Sequence, residues 1–205
     1  MTTEVLVNVS ERGTTGLSRV ARAVSWVGHP LVFVSISLGL VVWYRLANRI
    51  GVSVLLALLL AVVLPNALLL IRGVRSGRWS DADVSVPDER AAFYPRAILI
   101  SAVGTVALLV MQSPGFVLRG AAVTLALLMV AAVINQVSKI SLHVIFAFYC
   151  VMVLFRLGSN AGFCALALAG LVFWSRLYLR RHALIEVCSG TVLGTLAGIF
   201  TAWWP

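Results

Sequence analysis

Residues 51–71 read Gly-Val-Ser-Val-Leu-Leu-Ala-Leu-Leu-Leu-Ala-Val-Val-Leu-Pro-Asn-Ala-Leu-Leu-Leu-Ile, with no charged side chain from end to end. A helix rises about 1.5 Å per residue, so roughly 20 apolar residues cross a hydrocarbon core about 30 Å thick. Six further stretches approach that length and character, at about 30–47, 97–113, 117–137, 142–157, 161–179 and 184–204. Their edges carry turn and interface signals. Ser113-Pro114-Gly115 and Gly158-Ser159-Asn160 read as turns, and Trp43, Tyr44, Trp203 and Trp204 sit at segment ends as an aromatic belt does. The reading is an all-α polytopic membrane protein, with six or seven transmembrane helices in one bundle. A single domain accounts for residues 1–205.

Composition agrees. Hydrophobic residues make up 61% of the chain and charged residues 11%, against about 25% charged in soluble domains. Such a chain cannot cover a water-facing surface. Its net charge of +9 therefore fits basic loops that set topology and meet anionic head groups, and nucleic acid is excluded as a partner. Cys150, Cys164 and Cys188 lie in apolar runs without CxxC spacing. They read as small hydrophobes, with no metal site and no cofactor implied. Residues 1–28 form a polar leader with no cleavable signal pattern. Within it, Leu17, Val20, Ala21, Val24 and Val27 fall at helical spacing while Arg19 and Arg22 lie off the stripe. That pattern predicts a short interfacial helix.

Seven crossings put the leader and the loops 72–96, 138–141 and 176–183 on one face. That face holds twelve of the sixteen basic residues, and Arg45, Arg49, Arg119 and Arg156 fall on the other. By the positive-inside rule the first face is cytoplasmic, in a multi-pass protein of the cell membrane.

Three polar clusters share that face. The most informative is Ser175-Arg176, five residues, His182, three residues, Glu186. His182 and Glu186 are four apart, on one side of a helix start, where a carboxylate fixes an imidazole's tautomer and raises its basicity. A carboxylate so close to an apolar helix needs a partner. The second cluster is Lys139-Ile140-Ser141-Leu142-His143, and the third is Arg90, followed after four residues by Pro95. Two histidines, arginines, a lysine, a serine and a carboxylate suit phosphoryl transfer. One histidine attacks phosphorus, the other protonates the leaving oxygen, and the cations hold the remaining oxygens.

In these motifs the chain resembles the type 2 phosphatidic acid phosphatase superfamily. The third family motif, Ser-Arg, five residues, His, three residues, Asp, is matched with Glu186 in place of Asp. The second, Pro-Ser-Gly-His, keeps Ser141 and His143. The first, Lys, six residues, Arg-Pro, reads Asp83, six residues, Arg90-Ala91. The resemblance implies His182 as a nucleophile forming a phosphohistidine, Glu186 as its orienting group and His143 as general acid. It implies Arg90, Ser141 and Arg176 as phosphate-binding groups, with Ser175 beside them. Lys139 is the only lysine among fifteen arginines, and it is expected to replace the missing first-motif cation.

The implied activity is a metal-independent phosphatase, with no cofactor, acting on a polyprenyl or glycerophospholipid phosphate or diphosphate. Two alternatives stand beside it: a lipid transporter, for which only Pro65-Asn66 hints at a broken helix, and a family member that binds lipid phosphate without hydrolysing it. Blander readings apply elsewhere. Arg180 and Arg181 read as topology charges, His29 as a cap before Pro30, and Asp81 and Asp83 as acids neutralised by nearby arginines. Asp88 and Glu89 are expected to pair with Arg90 in a solvated loop. Asn135, Gln112 and Gln136 read as interhelical hydrogen bonders, and Gly190, Gly194 and Gly198 as a packing face.

Overall fold

The computed structural model describes residues 16–46, 48–84 and 86–203; the first fifteen residues of the leader and Trp204 lie outside them. Every regular element among the described residues is helical: α1 (Gly16–Val27), α2 (Pro30–Arg45), α3 (Asn48–Leu58), a π turn (Leu59–Val63), α4 (Leu64–Arg75), α5 (Pro87–Val110), α6 (Gly115–Val137), α7 (Leu142–Phe155), α8 (Ser159–Tyr178) and α9 (Leu184–Trp203).

Five stretches are long and apolar enough to cross a membrane: Arg49–Arg75, α5, α6, α8 and α9. The pair α1 and α2, bent by 55° at Gly28–His29, makes a sixth when counted as one span. The outward faces of these helices are apolar. On α5, Leu99, Val103, Val106 and Val110 are all more than half exposed, on one stripe. The seventh expected segment, α7, has only 14 residues. It is short because it lies inside the bundle, with Val144, Ile145, Ala147 and Val151 fully buried.

What fixes α7 is the glycine ladder of α9. Gly190, Gly194 and Gly198 face Ser141, Ile145 and Tyr149, stepping four residues at a time on both helices. A methyl group at Gly194 would overlap the Ile145 carbonyl. Close backbone approach of this kind is how helices associate where lipid supplies no hydrophobic drive. It sets the start of α9, with Glu186, beside the start of α7, with His143.

Two expectations are corrected. Residues 72–96 are not one loop: α4 runs to Arg75, and α5 begins ten residues before the apolar run, at Pro87. Proline at the first helical turn and Asp88-Glu89 behind it are helix-start signals, because they suit orphan amides and a positive dipole end. Glu89 does not simply pair in solvent. Its carboxylate accepts from the Ser80 amide (2.9 Å) and hydroxyl (3.1 Å), which ties the α4–α5 loop to α5. The leader helix exists: Ser18, Ala21 and Ser25 pack inward, while Leu17, Val20 and Val27 of the apolar stripe face outward. Small residues let α1 lie close to α8, and Gly28 sits against Val172.

The long span is interrupted where the sequence contains Pro65. Proline has no amide hydrogen, so the Ala61 carbonyl loses its helical donor. The chain widens into the π turn, with the Leu64 amide bonded to Leu59. Gly104 of α5 fits against the Ala61 carbonyl. Asn66 donates to Val62 (2.9 Å) and to Ser101 of α5 (3.2 Å), which secures the break from the side.

Candidate active site

A cavity of about 130 Å³ opens at the end of the bundle where α2, α7 and α9 begin and α6 ends. Its wall carries His29, Asp83, Arg90, Lys139, His143, Arg176, Arg181 and His182, and deeper in, Asn66, Tyr94 and Ser101. Apolar residues including Val34, Leu70, Phe93 and Leu128 complete it. Residues spread over more than 150 positions of sequence thus meet in one polar pocket with an apolar floor.

His182 stands in the turn before α9. Its Nδ1 lies 2.8 Å from Glu186 Oε2, and the same oxygen accepts the Ala183 amide at 3.2 Å. Glu186 therefore serves as an N-terminal cap and as the histidine's orienting partner at once. With Nδ1 held by a carboxylate, Nε2 is the nitrogen left for chemistry. Burial pulls the His182 pKa down to about 4, helped by the Arg176 and Lys139 charges and opposed by Glu186. That shift favours the neutral ring, the form in which an imidazole can act as a nucleophile.

Arg176, in the last turn of α8, is 2% exposed. Its Nη1 donates to Ser25 Oγ of α1 (2.8 Å) and to Asp83 Oδ2 (3.0 Å). The other Asp83 oxygen lies 3.4 Å from His143 Nε2. Arg181 Nε approaches Asp83 Oδ2 at 3.7 Å, while its Nη1 donates to Asp81 at 2.8 Å. One carboxylate thus lies among two guanidinium groups and an imidazole. The cradle accepts an anion, and in this structure the anion is the protein's own.

Lys139 lines the cavity two residues before Ser141, and its charge reaches His182. Ser141 holds the N-cap position of α7 but is fully buried and off the cavity wall, and its hydroxyl has no hydrogen-bond partner among the described residues. Arg90 reaches the wall from the second turn of α5. Ser175 does not join them. Its hydroxyl donates to the Val172 carbonyl at 2.7 Å and it is off the cavity wall. One turn back along its own helix, a carbonyl satisfies it locally.

Three participants were read too blandly from sequence. Arg181, taken as a topology charge, binds both aspartates. His29 does cap α2, accepting the Leu31 amide at Nδ1 (3.3 Å). Its ring also meets that of His143 edge-on at 5.2 Å. Asp83, read as an acid neutralised by nearby arginines, is indeed paired with Arg176 and Arg181, and it also reaches His143, which makes it the hub of the polar network. The bend between α1 and α2 and the fold-back of 76–86 bring these groups in, and neither has a periodic signal.

Fold and cavity together define a helical membrane-type bundle with an anion-holding polar pocket at one end. In comparison with known proteins, the chain matches no protein-family model, no curated protein and no solved structure.

Proposed function

We propose that the chain is an integral-membrane phosphatase that hydrolyses the phosphomonoester or diphosphate of a polyprenyl or glycerophospholipid through a phosphohistidine. The observation that carries this reading is the His182–Glu186 pair on the wall that also holds His143, Arg176, Arg90 and Lys139. His182 Nε2 attacks phosphorus, and the phosphorus–oxygen bond to the lipid breaks. His143 gives its proton to the departing lipid oxygen, and water then cleaves the phosphorus–nitrogen bond to release phosphate. Glu186 supports the positive charge that builds on the ring. Arg90, Lys139 and Arg176 stabilise the charge on the non-bridging oxygens. The apolar floor accepts the start of the lipid chain, which enters between helices because the loops are too short to bury a soluble substrate.

The test is phosphate release by purified protein in mixed micelles containing phosphatidic acid, phosphatidylglycerol phosphate, a prenyl phosphate or a prenyl diphosphate, with a chelator present. At least one is hydrolysed, and acid-labile phosphate is trapped on the wild type but not on His182→Ala. Binding of these lipids with no release from any of them supports the non-hydrolytic alternative instead.

A further inference from the structure

A second and larger cavity, of about 380 Å³, opens at the opposite end of the same helices. Its wall includes Arg45 from the last turn of α2, Arg119 from the start of α6, and Arg156 at the C-terminal cap of α7. On α6, Arg119 and the Lys139 end are twenty residues apart, which is roughly 30 Å along a helix. The two pockets therefore face opposite membrane surfaces.

The charge balance of this cavity differs from that of the first. Asp81, Asp83, Asp88, Glu89 and Glu186 are the acids among the described residues, and none is on its wall. Arg45 and Arg156 lie at helix C-termini, where a cation complements the dipole and needs no ligand. Arg119, near the start of α6, lines the same cavity. Arg45 also packs over the Phe116 ring at 5.9 Å, which holds its guanidinium at the rim. Below the arginines the wall becomes apolar, with Leu38, Val41, Leu58 and Val153, and carries the hydroxyls of Thr124, Tyr149 and Thr201. Guanidinium forks at the mouth and an apolar interior match an anionic head and an acyl or prenyl chain.

We propose that this cavity is a second binding site, for a phosphate-bearing amphiphile presented at the face opposite His182. It shares no arginine or histidine with the candidate active site, so it stands or falls independently of the hydrolytic reading. Val34, Val62, Val63 and Thr124 border both cavities. Only the π turn of the long span and the side chains facing it separate the two.

The test is binding of a short-chain phosphonate analogue of phosphatidic acid, which cannot release phosphate, to purified protein in detergent by equilibrium dialysis. Inorganic phosphate is titrated in parallel. Arg119→Gln weakens one binding event by about tenfold or more, since a charge-assisted hydrogen bond is worth at least that factor. Arg45→Gln/Arg119→Gln/Arg156→Gln removes the event, and both variants keep wild-type phosphate release. Arg49→Gln is the control, because it alters the fourth basic residue of that end without touching the cavity wall. Undiminished binding by the arginine variants overturns the proposal, as does an equal loss in Arg49→Gln, which reports general surface charge. Inorganic phosphate binding as tightly as the analogue overturns the assignment to an amphiphile.

Discussion

His182 and Glu186 were legible from spacing alone, because four residues on a helix place two side chains together whatever the rest of the fold does. Their roles are separable by mutation. His182→Ala is expected to cut phosphate release below a tenth of wild type, as loss of a nucleophile costs several kcal/mol of barrier. Glu186→Gln keeps the size and loses the charge, so turnover falls sharply, whereas Glu186→Asp is mild; equal damage from both would remove the orienting role. The low pKa of His182 sets the acid limb. The ring must be neutral to attack, and burial holds its pKa near 4, so the rate is expected to fall on acidification only near pH 4. A limb at the ordinary histidine value, near 6.5, would mean that a different group is titrating. Lys139→Ala is expected to lower turnover by about a hundredfold, from a few kcal/mol of lost charge stabilisation. Lys139→Arg recovers part of it, since a planar fork does not replace a compact ammonium.

Asp83 was not legible as a site residue, because its importance arises only where α8, α7 and the 76–86 segment converge. Its carboxylate is held by Arg176 and close to His143 and Arg181, in the cradle where the proposed function places the substrate phosphate. Removing that charge while keeping an acceptor for Arg176 should ease substrate binding. Asp83→Asn is therefore expected to lower KM by about tenfold, a modest share of the interaction between unit charges about 4 Å apart near a protein surface. An unchanged KM would place Asp83 outside the path of the phosphate.

At the scale of elements, apolar length located the spans but not their starts. Pro87-Asp88-Glu89 opens α5 with charged residues, so a count of apolar residues begins ten positions late. The π turn required knowing that the carbonyl freed by Pro65 faces Gly104 of another helix. The α9 glycines were read correctly as a packing face, and the structure adds their partners. Gly194→Leu is the sharpest test, because Ile145 backbone blocks any side chain there. It is expected to lower the thermal midpoint in detergent by several degrees and to reduce activity with it. Gly170→Ala on α8, where a Cβ meets open space, should change neither. Equal behaviour of the two would mean that α7 and α9 are held together in some other way.

For the whole molecule, the open matter of consequence is which face carries His182. Twelve of the sixteen basic residues fall on that side in the seven-crossing reading, and removing Arg90, Lys139 and Arg176, whose positions the pocket itself requires, still leaves nine against four. Three of those four, Arg45, Arg119 and Arg156, share a cavity, so their number does not weaken the bias. Lysine and arginine near span ends are retained on the cytoplasmic side during insertion, and the His182 pocket is therefore expected to face the cytoplasm. Impermeant maleimide labelling of intact cells checks this in a background with Cys150, Cys164 and Cys188 replaced, as Cys164 and Cys188 are exposed. Arg49→Cys, at the far end, should react directly. Arg78→Cys, in the loop before α5, should react only after the membrane is permeabilised. The opposite pattern would turn the bundle over and give the His182 pocket a substrate delivered at the outer surface.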